Sequence, residues 1–339
     1  MKLLIDARPL TDIASGGVAR LSRHLVSAYA QVFPDDELIL ATTGSVKPDL
    51  PETLQRPNVR HLHLSVPNKL WSASSAIGAV SFTKEFEKRA GKVDATFLPN
   101  LGFVGTLKKP TSLLLHDLSF LIEPRWFNWK QRAWHRAVRA KKLIKNVDQL
   151  FAVSKRTKQD AINILGIPEE RITVIPIGPT LSVIPEEAGI QHQGRYVLAL
   201  GWNDRRKNAR TAELAVEILR RDPAFADLNI IIVGRDVIRP NDAQLSSLFA
   251  NASAFLYPSW YEGYGFPLWE AAQFGTPRVA STSGSLPETA PAGTFFAHPA
   301  KPHQWVEALR NALIQERKPV ITDSTWESAA RTLRRSIAR

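Results

Sequence analysis

Short apolar runs alternating with amphipathic stretches constrain this chain more than any other feature. Residues 2–5, 38–41, 59–64, 95–98, 112–115 and 150–153 read as strands, with helical patterns such as 18–33 and 81–90 between them. Alternation of this kind builds parallel sheets flanked by helices. Near 174–185 the texture breaks, because VIPIGPTLSVIP carries three prolines and reads as a hinge. A second series follows, with strands at 196–200, 229–233, 254–256 and 278–280 and helices at 210–221, 242–250, 268–274 and 302–316. The expected fold is therefore α/β. Two doubly wound Rossmann-like domains, 1–180 and 181–324, are followed by a basic helix at 325–339 that packs back on the first. Ligands of such sheets lie off the carboxyl ends of the strands, so the expected site is a cleft between the domains.

At 339 residues there is enough chain for two cores. No apolar run approaches the roughly 20 residues needed to span a bilayer. The opening MKLLIDARPL reads as a strand rather than a leader, since Asp6 and Arg8 interrupt its apolar part. The absence of cysteine excludes disulfides and thiolate metal sites and suits a cytoplasmic protein. A formal charge of +12 points toward polyanions, whether nucleic acid, anionic lipid or phosphorylated substrate.

The chemistry concentrates at 257–277, YPSWYEGYGFPLWEAAQFGTP. Glu262 and Glu270 flank a Gly-x-Gly turn that enters a helix with Pro267 near its first position. Gly263 and Gly265 let backbone approach a ligand, and free N–H groups at the helix start favour an anion. A phosphate-holding loop with a carboxylate at each end suits a sugar nucleotide. The segment GWNDRRKN at 201–208 places Arg206 and Lys207 just after a strand, where they either neutralise a diphosphate or form a solvated loop. Gly16 and Gly17 precede a helix and read as a phosphate-facing turn or simply as a turn. His116 ends a strand beside Asp117, as a substrate contact or as a structural histidine held by backbone. The stretch 124–147 has eight cations and no acid. Read as one helix it aligns Trp126, Trp129, Ala133, Ala137, Ala140 and Ile144 beside a row containing Arg125, Arg132, Arg136 and Arg139, a pattern for an anionic membrane surface or for ordinary inward packing. No metal-ligand pattern, nucleophile elbow or P-loop is present in the sequence.

Taken together, the Glu-x7-Glu pair in PSWYEGYGFPLWEAAQFGTPRVAS, RKN at 206–208, GGVAR at 16–20, LHDLSF at 115–120, AVSKRTKQD at 152–160 and SGSLPE at 283–288 resemble the family-4 retaining glycosyltransferases of the GT-B fold. The resemblance implies that Glu270 binds the donor ribose and Glu262 faces the donor sugar. Backbone around Gly265 and Phe266 would contact sugar and phosphate. Arg206 and Lys207 would hold the diphosphate, Gly17 would approach it, and His116 would contact the sugar near the reacting carbon. Metal and cofactor would be unnecessary, the co-substrate being a nucleotide sugar. One departure stands out: between NIIIVG at 229–234 and NDAQL at 241–245 only RDVIRP intervenes, where the family carries a further helix and strand. The second domain is thus shortened, and 237–240 become the expected wall for the base. The expected activity is hexosyl transfer, best matched to GDP-mannose, in surface-polysaccharide assembly such as lipopolysaccharide, capsule or exopolysaccharide. UDP- and dTDP-sugars remain alternatives. The acceptor is expected to be a saccharide or a lipid-diphosphate-linked oligosaccharide, met at the cytoplasmic face of the inner membrane. A nucleic-acid binder gains nothing from Glu262 and Glu270, which would repel a polyanion. A hydrolase on the same fold, or a degenerate nucleotide-sugar-binding protein without activity, remains a competing class.

Overall fold

The computed structural model describes residues 1–11, 16–180 and 194–338. The chain divides into two compact units, Met1–Gly178 with Ser324–Arg339, and Pro179–Asp323. The proline-rich stretch expected to hinge runs out of the described residues after Thr180.

The first unit is built on seven parallel strands: β1 (Lys2–Asp6), β2 (Glu37–Thr43), β3 (Val59–Leu64), β4 (Ala95–Leu98), β5 (Thr111–Leu115), β6 (Gln149–Ala152) and β7 (Ile172–Val174), in the order β3-β2-β1-β4-β5-β6-β7. Its helices are α1 (Arg8–Thr11), α2 (Gly16–Val32), α3 (Asn68–Ala76), α4 (Phe82–Ala90), α5 (Ser119–Ile122), α6 (Trp129–Ala137), α7 (Ala140–Asn146) and α8 (Lys155–Leu165). The central strands are apolar on both faces, as burial on both sides requires; all five residues of β5 are buried. The helices are one-sided. In α2, Leu21, Leu25, Ala28 and Tyr29 are buried at helical spacing.

The second unit carries five parallel strands, β8 (Tyr196–Leu200), β9 (Asn229–Val233), β10 (Ala254–Tyr257), β11 (Arg278–Ser281) and β12 (Thr294–Ala297), in the order β12-β11-β10-β8-β9. Helices α9 (Ala209–Leu219), α10 (Asp242–Asn251), α11 (Phe266–Gln273), α12 (Leu286–Thr289) and α13 (Pro302–Ile314) complete it. The last helix, α14 (Trp326–Ile337), belongs to the first unit and packs on α2. Arg334 of α14 donates to Asp36 at 2.6 Å, and Tyr29 donates to the same carboxylate at 2.8 Å.

The short connection after β9 leaves that strand at the sheet edge. The turn closes the edge itself: Asp236 accepts from the Ile232 N–H at 2.8 Å, and Val237 bridges Val233 in parallel. The turn itself thus occupies hydrogen-bonding groups at the edge of the sheet, which is one way an edge strand is guarded.

The structure corrects the reading of 124–147 as one helix. It is three pieces, a 3-10 turn Pro124–Trp126, α6 and α7, broken where Arg139 adopts φ 53°. The expected single face is therefore split. Ala140 and Ile144 lie in the core, whereas Trp129 is 69% exposed.

Candidate functional site

In the second unit, adjacent β8 and β10 run parallel, so their carboxyl ends deliver two loops to the same place. The first loop leaves β8 through Gly201, whose φ of 82° disfavours any side chain. Its missing Cβ also makes room, since one built there would stand 2.5 Å from Cγ of Lys207. Asp204 then accepts from the Arg206 N–H at 2.9 Å, nucleating the 3-10 turn Arg205–Lys207. Asn208, left-handed at φ 54°, ends the turn and donates to the carbonyls of Pro258 and Pro299, each at 3.1 Å. The first loop is thereby tied to the second.

That second loop carries Glu262, which is 6% exposed. Its carboxylate accepts from Nζ of Lys207 at 2.9 Å and from Nη1 of Arg206 at 3.1 Å. Burial by itself would raise this carboxyl, but the charges of Arg206 and Lys207 outweigh it and hold the pKa down to about 2. Lys207 also donates to the buried Tyr257 hydroxyl at 2.5 Å. Burial, reinforced by Glu262, pushes that phenol well above its ordinary pKa, so it stays neutral. Two of the three ammonium protons of Lys207 are thus spent inside the cluster, and one is left for a ligand. Beneath Glu262 runs the SGSLPE loop: a Cβ on Gly284 would come within 2.6 Å of the Glu262 nitrogen, and Ser285 N–H donates to the Glu262 carbonyl. Gly265, at φ 96°, starts α11, and its missing Cβ makes way for Leu286. Phe266 and Pro267 open that helix. Glu270 is buried one turn on and accepts from the Thr180 hydroxyl at 2.8 Å.

The sequence candidates therefore fall into groups. Arg206, Lys207 and Glu262 form one bonded cluster, with Gly265 and Phe266 following on the same loop and Glu270 a turn further along α11. His116, Gly16 and Gly17 belong to the first unit. His116 bonds the Pro99 carbonyl through Nε2 at 2.8 Å, which places its proton there, and burial lowers its pKa. Asp117 does not set that tautomer; its Oδ1 accepts from the Ser119 N–H and hydroxyl at the start of α5. Gly16 and Gly17 begin α2 exposed, with Gly16 at φ 59°. Arg125 forks Glu123, while Arg132 and Arg136 are exposed on α6. Trp126 is half-buried, and Trp134 meets Phe103 edge-on at 6.3 Å. Among the described residues no group of side chains is arranged to hold a metal ion. Sequence reasoning gave no role to Tyr257 or Gly201. Their signals were present, a phenol closing a strand beside the carboxylate loop and a glycine opening the basic one.

The family described as Glycosyltransferase Family 4 matches residues 15–182, and that described as Glycosyl transferases group 1 matches residues 183–332. Among curated relatives, the O-antigen chain mannosyltransferase B of Escherichia coli is 25% identical over 251 residues, covering 63% of this chain and 62% of that protein. The MMP alpha-(1->4)-mannosyltransferase of Mycolicibacterium hassiacum is 26% identical over 189 residues, covering 48% of this chain and 44% of its own length. The matched segments thus span less than two thirds of either relative. Among solved structures, a sucrose-phosphate synthase from Thermosynechococcus elongatus superposes with a TM-score of 0.67 at 17% identity, covering 99% of this chain and 94% of that one.

Proposed function

The chain belongs to the group 1 and family 4 glycosyltransferases, its two parallel α/β units being of the GT-B class, and on that premise we propose that it transfers a hexose from a nucleotide sugar to a saccharide-bearing acceptor with retention of configuration. The observation that carries this reading is the Arg206–Lys207–Glu262 cluster beside the start of α11. Two cations sharing the Glu262 carboxylate are poised for a dianionic diphosphate, and the adjoining helix start favours the same charge.

As the bond between the anomeric carbon and the diphosphate breaks, negative charge gathers on the leaving oxygens. Arg206 and the remaining proton of Lys207 stabilise that charge most where it is greatest, which lowers the barrier rather than merely tightening binding. The acceptor oxygen attacks from the face the diphosphate leaves, and its proton passes to a diphosphate oxygen. No metal is needed to neutralise the leaving group when two cations stand there. Within the second unit, Glu262 faces the sugar and Glu270 the ribose, and Gly265 and Phe266 offer backbone to sugar and phosphate. Glu270 would exchange its Thr180 partner for ribose hydroxyls.

GDP-mannose is the proposed donor, supported by the mannosyltransferase names of both curated relatives. The proposed process is assembly of a surface polysaccharide on a lipid-diphosphate-linked acceptor at the cytoplasmic face of a membrane, with the basic, Trp-bearing segment of residues 124–147 making peripheral contact. No helix among the described residues is long and apolar enough to cross a membrane. A thermal-shift screen against GDP, UDP, dTDP and ADP, each with and without its sugar, tests the reading. One base should raise the melting temperature well above the others. A response to none of them would leave a non-catalytic protein on this fold.

A further inference from the structure

Below the basic segment of the first unit lies a second feature that diphosphate chemistry does not use. A cavity of about 530 Å³ opens among α5, α6 and α7. This lies within the roughly 300–1,000 Å³ of sites that enclose small ligands. Its inner lining is apolar: Phe120 is buried, and Leu121 and Phe127 are half-buried against the core. The His135 ring, stacked on Phe120 at 4.4 Å, completes that wall. Its outer lining is cationic, with Arg132, Arg136 and Lys141 all exposed. The left-handed backbone at Arg139 creates the opening, because it turns α7 away from the line of α6.

On the same helices, α5 and α6, apolar side chains are exposed: Trp129 at 69%, Trp134 at 38% and Ile122 at 38%. Indole and aliphatic groups exposed beside a rim of arginines and lysines match the interfacial layer of a bilayer, where rings sit at headgroup level and cations meet lipid phosphates. A flat electrostatic contact needs no cavity; an apolar hollow under such a rim fits a hydrocarbon chain. The rim cations are spread over two helices instead of converging on one point, which matches several headgroups of a leaflet better than a single diphosphate.

We propose that this cavity seats one acyl chain of an anionic glycerophospholipid, with Arg132, Arg136 and Lys141 on the phosphates above it. The inference rests on the membrane contact proposed above and gives that contact a definite seat. It makes binding depend on chain length as well as on charge. Each methylene fully taken up should strengthen binding up to about fourfold, and loss of one rim cation should weaken it about fivefold.

The test uses the full chain with soluble short-chain phosphatidylglycerols, followed by tryptophan fluorescence. Dihexanoyl-phosphatidylglycerol should bind, glycerol phosphate should not bind in the same range, and affinity should climb with each added methylene. Arg136→Ala should weaken binding about fivefold, and Leu121→Glu should abolish it. Because Leu121→Glu can unfold the unit, the chain-length series on the unaltered protein stands independently of it. Equal binding of glycerol phosphate, or no dependence on chain length, overturns the proposal. Preferential binding of farnesyl diphosphate over phosphatidylglycerol overturns it too, by assigning the cavity to an isoprenoid phosphate. Nucleotide binding measured on the same sample separates the two readings. Nucleotide without lipid binding sinks only this inference, and lipid without nucleotide binding sinks only the transfer reading.

Discussion

Replacing Glu262 by Gln keeps the shape of the candidate site and removes the carboxylate that pairs with both Arg206 and Lys207. The carboxyl stands near pKa 2, against an ordinary value of 4.5. A displacement of that size corresponds to about 3 kcal/mol favouring the ionised form, at 1.36 kcal/mol per pK unit. Gln would leave Arg206 and Lys207 facing each other with side chains only 17% and 18% exposed. Its carbonyl can accept from one of them, while its amide N–H groups oppose the other. The expected loss is therefore about 2–4 kcal/mol, the lower part of the range reflecting partial solvation of both cations. For a unit of this size that lowers its melting temperature by roughly 5–15 °C in differential scanning calorimetry. The same substitution removes the carboxylate that competes with an external anion for both cations. Saturating pyrophosphate should therefore raise the melting temperature of Glu262→Gln by more than that of the unaltered protein. A variant that melts within about 1 °C of the original, or that gains no more from pyrophosphate, would refute the reasoning.

The pH dependence follows from the same carboxylate. Its folded pKa lies below its unfolded one, so its contribution is complete above about pH 4.5 and is lost as pH falls through about 2. The difference in stability between the original protein and Glu262→Gln should shrink over that interval, and a constant difference down to pH 2 would contradict it. Lys207→Ala should lower turnover at least about 100-fold at a temperature where calorimetry shows the variant still folded, and unchanged turnover would remove the residue from the mechanism. Gly201→Ala forces a Cβ to within 2.5 Å of the Lys207 stem at a φ of 82°, so it should cost about 1–2 kcal/mol and weaken nucleotide diphosphate binding. Intact affinity would show that Lys207 need not sit where it does. Asp36→Asn removes the charge that receives Arg334, and hydrogen exchange over α14 should accelerate by at least about tenfold. Unchanged protection would mean that packing on α2 alone holds the helix.

Much of this architecture was legible because burial leaves a direct mark on composition. A strand such as β5, whose Leu113, Leu114 and Leu115 form an unbroken apolar run, cannot be read as a surface element. The three-residue β7 and the half-exposed β12 carry too little pattern to be separated from loop, and both escaped. The shortened turn after β9 was visible by counting residues, whereas the use of the Asp236 carboxylate to close the sheet edge was not. The segment of residues 124–147 misled for a physical reason. Helical periodicity presumes continuity, and neither glycine nor proline announces the left-handed backbone at Arg139. At the site, Arg206, Lys207 and Glu262 were named as separate ligand contacts, but their mutual bonding is a tertiary fact. It depends on two loops from neighbouring strands and on Asn208 tying them together. The phenol of Tyr257 gains its part only through that approach.

The central claim is that Arg206 and Lys207 hold the diphosphate of a sugar nucleotide. Calorimetric titration of GDP-mannose tests it most directly, performed on the unaltered chain and on a variant carrying both Arg206→Ala and Lys207→Ala. The account predicts one-to-one binding by the unaltered chain and a loss of at least about 100-fold in the variant, two charge-assisted contacts being removed. Equal affinity in the two proteins would contradict it.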